Sequence, residues 1–227
     1  MSILGGKEAQ YSWQFVIWIG DMVMFVWYCR NNYAKALEEL INKIKASIPL
    51  SAEAEEYLYA ISKNVTVPKG SILIREGQAV NKIYFVTDGC LRSYCTDKKG
   101  KEHILQFAVK NWWISDYIAI HNNEPATLTV ECLKESQVIE FDAKKLNGIL
   151  IRYPEYEPFQ RLLLERHVVS LHKRILNQLQ LTALERYDLF LSQYPGIEQY
   201  TRNYHIASYL GITQESLSRI RVEKAEK

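Results

Sequence analysis

The apolar residues of this chain follow two different spacings, and the first of them is helical. Residues 33–47 show an apolar residue every three or four positions, and this apolar side consists of Leu37, Leu40, Ile41, Ile44 and Ile48. Pro49 ends the pattern, since proline cannot continue a helix. Ser51 can cap a second helix, whose first residues include Glu53 and Glu55. Two helices are therefore predicted before any strand.

From Asn64 the spacing changes to short runs of β-branched and aromatic residues separated by turn residues. Seven or so such runs occur, over residues 65–67, 71–75, 82–87, 91–96, 102–109, 127–133 and 137–141. Asp88-Gly89, between the third and fourth runs, is a strong hairpin signal. Strands this short and this evenly spaced predict an antiparallel sandwich or jelly-roll barrel.

Helical spacing returns after Asp142, with a short helix over residues 143–151 and a long one over roughly 159–181. One apolar stripe of the long helix has the four-three-four spacing of a coiled coil and consists of Leu164, Val168, Leu171 and Ile175. A second stripe, on another face, consists of Leu162, Val169 and Leu176. One face can pack on the chain's own barrel and the other on a second copy, which predicts a homodimer. A helix buried on both faces within one subunit is the alternative.

The C-terminal residues 201–221 predict two short helices around one glycine. Each helix has its apolar residues on one face, namely Ile206 and Leu210, then Leu217 and Ile220. Gly211 can adopt the left-handed conformation of a helix end, Ala207 is small where the helices cross, and Thr213 can cap the second helix. This is the helix-turn-helix pattern. A plain helical hairpin with a solvated polar face is the alternative.

The polar face of the second helix carries side chains suited to reading DNA, namely Gln214, Glu215, Ser218 and Arg219. Glutamine pairs with adenine, arginine with guanine, and glutamate accepts from the amino group of cytosine. Thr201, Arg202 and Thr213 are placed to hold phosphates. The pattern therefore predicts that the second helix enters a major groove.

The composition of the chain limits the functions that the protein can have. The 227 residues carry a net charge of +2, so DNA binding requires a local basic patch rather than a global field. The four cysteines lack the spacing of a zinc or redox motif, which predicts reduced, buried thiols in a cytoplasmic protein. Five scattered histidines form no His-x-His pair, and no phosphate loop or Gly-x-Ser-x-Gly elbow occurs. We therefore predict no enzyme activity, no metal and no cofactor.

Residues 1–32 contain a mostly apolar run, Trp13–Cys29, with Asp21 near its centre. Its length is at the lower limit for spanning a bilayer, and a central carboxylate is costly there. A weak membrane anchor, a segment packed on the protein or a partner, and an upstream extension from a misassigned start are all compatible with it. The third is favoured, because nothing downstream requires this segment.

The order of barrel, long helix and C-terminal helix-turn-helix resembles the Crp/Fnr superfamily of bacterial transcription regulators, from Tyr33 onward. The stretch IASYLGITQESLSRIR is similar to Bacteroidetes-type members. The resemblance implies an α+β fold with an antiparallel jelly-roll-like barrel and places Gln214, Glu215 and Arg219 at base-reading positions. It divides the chain into an N-terminal extension (1–32), a cyclic-nucleotide-binding-like sensory domain (33–152), a dimerisation helix (153–181) and a helix-turn-helix domain (182–227).

The resemblance also locates a ligand pocket, and there this sequence departs from the family. Nucleotide-binding members use a Gly-Glu pair for the ribose and an Arg-Ser/Thr pair for the cyclic phosphate. Ser115-Asp116 and Ala126-Thr127 stand in those places, without an arginine. Because a buried phosphate without a cation is costly, we expect that cyclic AMP is not bound by the usual contacts. Cys29 alone cannot supply an Fnr-like iron–sulfur cluster.

The function implied is a homodimeric, sequence-specific DNA-binding regulator in the cytoplasm. Its partners are double-stranded DNA, a second copy, an unknown small-molecule effector other than cyclic AMP and, for activation, RNA polymerase. The alternative is a ligand-sensing adaptor that does not bind DNA, held at a membrane by the N-terminal run. If the affinity of the protein for DNA falls as the salt concentration rises, the DNA-binding function is favoured over the adaptor function, because phosphate contacts release counterions. Because the sequence ends at Lys227, no β-hairpin wing is expected after the motif.

Overall fold

The computed structural model describes residues 36–225, so the run Trp13–Cys29 lies outside the described residues. The elements, in chain order, are α1 (36–45), α2 (Ala52–Ile61), β1 (Ser62–Val67), β2 (Ile72–Ile74), β3 (Lys82–Thr96), β4 (Glu102–Val109), β5 (Trp113–Ile114), α3 (Tyr117–Asn122), β6 (Thr129–Asp142), α4 (Ala143–Arg152), α5 (Glu157–Gln180), α6 (Ala183–Gln193), α7 (Asn203–Leu210) and α8 (Gln214–Ala225). Within residues 36–225, no helix is both long enough and apolar enough to cross a membrane.

The two long strands β3 and β6 pair along their whole length and form the spine of one antiparallel sheet. Residues 136–141 of β6 also pair with β1, and residues 130–131 pair with β2. On the other side, residues 84–85 of β3 pair with β5 and residues 90–96 pair with β4. Each half of the spine thus carries its own outer strands, which is the jelly-roll-like arrangement that the sequence predicts.

The hairpin predicted at Asp88-Gly89 is wrong, because β3 continues through both residues. The register of β3 against β6 shifts on both sides of Asp88, and Gly89 has a φ of 97°. A side chain at Gly89 would have its Cβ 2.6 Å from the Cα of Ser136, so glycine is needed for the close approach of the two strands. The dipeptide therefore forms a bulge that bends the spine. In the same way, the runs 127–133 and 137–141 form one strand, β6.

Three clusters of buried apolar residues hold the chain together. The interior of the barrel is filled from β2, β3 and β6, with Val86, Leu91 and Val130 fully buried. The four helices α1, α2, α4 and the start of α5 cover one end of the sheet. Every residue of the predicted apolar side of α1 is at most 6% exposed, which confirms that prediction. The third cluster joins β3 and β4 to α6, α7 and α8.

The long helix α5 leaves both of its predicted apolar stripes uncovered. The residues of the first stripe are between 40% and 55% exposed, and Val169 and Leu176 of the second are 50% and 49% exposed. Phe159, near the start of the helix, is the residue of α5 that is fully packed, against Tyr156. The prediction that one stripe packs on the chain's own barrel is therefore wrong, and so is the alternative of a helix buried within one subunit.

The cysteines only partly match the prediction of buried thiols. Cys90 and Cys132 are buried in the spine, whereas Cys95 is exposed near the end of β3. Burial raises the pKa of the Cys90 thiol to about 12. This thiol therefore stays protonated and is a poor nucleophile.

Candidate nucleic-acid interface and ligand site

The two C-terminal helices, α7 and α8, pack as a compact pair around a tight turn. Gly211 adopts the left-handed conformation with a φ of 69°, and its turn is closed by a bond from the Ile212 N–H to the Ala207 carbonyl, at 3.0 Å. The Thr213 hydroxyl accepts from the Ser216 N–H at 3.2 Å and so caps α8. The residues that fill the contact between the helices are buried, namely Ile206, Ala207, Leu210, Leu217 and Ile220. The predicted turn, cap and apolar face are thus confirmed.

The four residues predicted to read bases, Gln214, Glu215, Ser218 and Arg219, are all exposed on α8. Because Leu217 and Ile220 face the core, these polar side chains are held on the opposite, outward side. Hydrogen bonds from its own backbone N–H and from the Thr213 hydroxyl lower the pKa of Glu215. This carboxylate is therefore ionised at neutral pH and acts only as an acceptor.

The three residues predicted to hold phosphates do not share one environment. Arg202 and Thr213 are exposed, and each lies directly before one of the two helices, α7 and α8. Thr201 is only 6% exposed, because its backbone N–H bonds to the Ile197 carbonyl and holds it inside the turn before α7. The expectation that the Thr201 hydroxyl reaches a phosphate is therefore wrong for this arrangement.

Arg221 has a role that the sequence pattern did not reveal. Its guanidinium donates to the Tyr187 hydroxyl at 3.1 Å, to Asn203 Oδ1 at 2.8 Å and to Glu198 Oε1 at 2.5 Å. It therefore ties α8 to α6 and α7 and fixes the direction in which α8 points. Periodicity gives no signal for such a residue, because its partners lie 18 to 34 positions away.

The helix-turn-helix is docked on the edge strand β4 of the barrel. The Ser208 hydroxyl accepts from the Ile104 N–H at 3.0 Å and donates to the Glu102 carbonyl at 2.9 Å. From α5, the Arg174 guanidinium donates to the carbonyls of Ile104, at 3.1 Å, and Leu105. An edge strand leaves backbone groups unpaired, and here side chains of two helices satisfy them.

A buried cluster of charges lies beside this contact. Arg92 of β3 is 3% exposed and donates to Glu131 Oε2 and to Glu102 Oε2, each at 2.5 Å. His205 of α7 is also 3% exposed, with its Nε2 3.6 Å from Glu102 Oε2. Burial, followed by the nearby Arg92, lowers the pKa of His205 to about 4. The imidazole is therefore neutral at neutral pH.

The four candidate ligand residues do lie together, but their polar groups already have partners within the barrel. The Ser115 hydroxyl donates to the Lys82 carbonyl at 2.7 Å. Asp116 is 0% exposed, and its carboxylate accepts from Thr127 and from two further backbone N–H groups. Ala126 is 4% exposed and bonds through its backbone to the turn at residues 77–78. The sequence pattern predicts no element over residues 110–126, yet this segment forms β5 and α3.

A cavity of about 750 Å³ separates the barrel from α5 and α6. Its walls include Trp112, Asp116 and Leu128 of the barrel, Lys173 and Arg174 of α5, and Arg186 of α6. Burial also lowers the pKa of His167, which lies on the same wall. The cavity thus has a mostly apolar barrel side and a basic helix side.

Comparison with known proteins agrees with this architecture. Residues 64–153 match the cyclic nucleotide-binding domain family. Transcriptional activator protein Anr of Pseudomonas protegens is 23% identical over 189 residues, which cover 76% of each chain. A solved Crp/Fnr-family regulator from Eubacterium rectale has a TM-score of 0.63 at 19% identity, covering 78% of this chain and 85% of that chain. FixK2 from Bradyrhizobium japonicum has a TM-score of 0.61 at 17% identity, covering 72% and 84%. In sequence and in fold, the chain is therefore similar to Crp/Fnr transcriptional regulators.

Proposed function

We propose that this protein is a homodimeric, sequence-specific DNA-binding transcription regulator of the cytoplasm. The observation that best supports this proposal is the helix-turn-helix, in which a buried apolar contact between α7 and α8 holds the polar side chains of α8 outward. In this proposal, residues 33–152 form the sensory domain, residues 153–181 join two copies and residues 182–227 bind DNA. The unknown effector acts through the barrel, and RNA polymerase is the further partner if the protein activates.

The side chains of α8 and the start of α7 offer both kinds of contact that DNA recognition needs. Gln214, Glu215 and Arg219 can pair with base edges, and Arg202 and Thr213 can contact phosphates. The net charge of +2 supplies no general attraction to DNA, so affinity rests on this local surface. We therefore expect marked sequence preference and a moderate dependence on salt.

The uncovered stripes of α5 support a dimer. The first stripe is largely exposed, with fractions of 55% for Leu164, 49% for Val168, 40% for Leu171 and 55% for Ile175. A surface helix of a monomeric protein rarely exposes so many large apolar residues in one patch. Pairing with the same helix of a second copy buries them, and each buried Leu, Val or Ile side chain contributes about 1.5–3 kcal/mol at full burial. Two-fold symmetry then places two recognition helices in successive major grooves, about 34 Å apart.

DNA reading is tested by selecting genomic fragments on the purified protein and measuring binding to the enriched site. We expect a pseudo-palindromic site, and Arg219→Ala to weaken binding by about 1–3 kcal/mol, roughly 5- to 150-fold, with relaxed base preference at one position. Arg75→Ala is the matched control, since it removes the same charge from an exposed position in the barrel. Equal affinity of the Arg219→Ala variant and the control would contradict the assignment. A folded dimer that enriches no sequence would favour the adaptor function.

The dimer is tested by replacing Val168 and Leu171 together with glutamate and measuring mass by sedimentation. Four carboxylates then face one another across the helix pair, so we expect monomers at micromolar concentration. Ile151→Glu is the control, because Ile151 is 88% exposed on α4 and lies outside the stripe. A dimer that survives the double substitution would refute pairing through α5.

A further inference from the structure

The fold family implies a cyclic nucleotide, and the phosphate of that nucleotide places definite requirements on the residues of the barrel. A buried phosphate needs several converging N–H or O–H donors and a cation. In this barrel the converging donors belong to Thr127 and Leu128, directly before β6. All of them point at one oxygen of the chain's own Asp116.

The geometry of this contact is that of a bound anion. Asp116 Oδ2 accepts from the Thr127 N–H at 2.6 Å, from the Thr127 hydroxyl at 2.9 Å and from the Leu128 N–H at 3.2 Å. The second oxygen, Oδ1, accepts from the Ala119 N–H at 3.0 Å. An ionised carboxylate only accepts hydrogen bonds, and all four groups around it donate. The carboxylate is thus fully satisfied, and Asp116 itself is 0% exposed.

No arginine of the matched domain is available to hold a phosphate at this place. Arg75 lies in an exposed turn, and Arg92 is fully engaged with Glu102 and Glu131. The guanidinium of Arg152 lies over the ring of Tyr57, with its Cζ 5.4 Å from the ring centroid. A phosphate brought to the Thr127 and Leu128 donors would therefore meet a carboxylate and no arginine of residues 64–153.

We propose that the Asp116 carboxylate is the permanent occupant of the anion-binding donors of this barrel, so that the barrel takes no nucleotide phosphate there. The carboxylate and the donors depend on each other. A buried charge is tolerated only with such donors, and the donors are costly to leave unpaired. By this contact, Asp116 ties the start of α3 to the residues directly before β6 without any ligand. The cyclic nucleotide that the fold implies does not fit this site.

Chemical rescue tests the proposal on the full-length protein. Asp116→Ala leaves the donors in place and removes the anion, and we expect the thermal midpoint to fall by roughly 5–10 °C. Formate can supply a carboxylate to the vacated donors, so 100 mM sodium formate should restore at least about half of the loss, in a saturable way. Sodium chloride at the same ionic strength should not.

Asp142→Ala is the matched control, because Asp142 also caps a helix, accepting from the Lys145 N–H at 3.0 Å, but holds no converging set of donors. The proposal requires rescue of Asp116→Ala and none of Asp142→Ala. Equal response of both variants, or of neither, overturns it.

A second measurement needs no variant and covers the case in which Asp116→Ala does not fold. The amide resonances of Thr127 and Leu128 are followed in the wild-type protein while cyclic AMP or inorganic phosphate is added to several millimolar. We expect both resonances to stay unchanged. A saturable displacement by either compound shows that the donors accept an external phosphate and overturns the proposal. Neither experiment involves DNA, so the outcome is independent of the proposed regulatory function.

Discussion

Replacing Arg92 by methionine removes the guanidinium from the buried charge cluster between the barrel and the helix-turn-helix. Methionine keeps most of the length and apolar volume of the side chain, so the substitution isolates the loss of charge and hydrogen bonds. Arg92 Nε and Nη2 lie 2.8 Å and 2.5 Å from Glu131 Oε2, and Nη1 lies 2.5 Å from Glu102 Oε2. The variant leaves both carboxylates without this partner.

The expected loss of stability follows from the burial of the three groups. Removing one partner of a buried ion pair costs about 3–5 kcal/mol. The two glutamates remain 21% and 27% exposed, so water compensates in part and the lower end of that range applies. Arg92 also lies over the ring of Tyr94, 4.1 Å from its centroid, which contributes about 0.5–1 kcal/mol. The total is about 3–4 kcal/mol.

Urea unfolding at matched protein concentration measures this value, since a dimer's stability depends on concentration. The control is Arg161→Met, which breaks an exposed pair with Glu165 on α5, where both side chains are more than half exposed. That pair is worth at most about 0.5 kcal/mol. If the two variants differ by less than about 1 kcal/mol, the reasoning from burial is refuted. Adding Glu131→Gln to Arg92→Met should restore part of the loss, because one orphaned charge is then removed.

Two further predictions concern His205 and Gly89. Folding lowers the pKa of His205 from 6.5 to about 4, so as the pH falls the unfolded chain binds a proton at this residue before the folded protein does. The free energy of unfolding should therefore be highest above pH 6.5 and should fall by about 2–3 kcal/mol as the pH drops toward 4. The difference between wild type and His205→Gln in urea unfolding should show this slope, and a difference that does not change with pH contradicts it. Gly89→Ala places a Cβ against the Oγ of Ser136 and 2.6 Å from the Cα of that residue, at a φ of 97°, whereas Gly100→Ala meets open space at a φ of 79°. We expect Gly89→Ala to cost at least about 2 kcal/mol more than Gly100→Ala in thermal unfolding, and equal losses would show that the two strands separate without cost.

The helices and the helix-turn-helix could be predicted from sequence because their determinants are close in the chain. The apolar side of α1, the left-handed Gly211 and the cap at Thr213 each depend on residues within about one or two helical turns. The antiparallel, jelly-roll-like class of the barrel was also predictable, since short strands with period-two patterns and frequent turn residues leave few other arrangements.

Other features depend on residues far apart, and the sequence alone misplaced them. Asp88-Gly89 has the local chemistry of a hairpin, but its pairing with Ser136 and Gln137 of β6 turns it into a bulge. Thr201 has the polarity of a phosphate contact, but the turn before α7 buries it. The two-striped pattern of α5 predicts that one stripe packs on the barrel, but a cavity lies between this helix and the barrel.

What the sequence by itself determined is therefore the set of local elements, the fold class and the chemistry carried by α8. The tertiary structure decided how distant groups meet: Asp116 on the donors of Thr127 and Leu128, and Ser208 on the edge of β4. The physical reason is one of range. Helix periodicity, caps and turns are set by neighbours along the chain, whereas the partner of a buried polar group is chosen by whichever distant group the packed core brings within hydrogen-bonding distance.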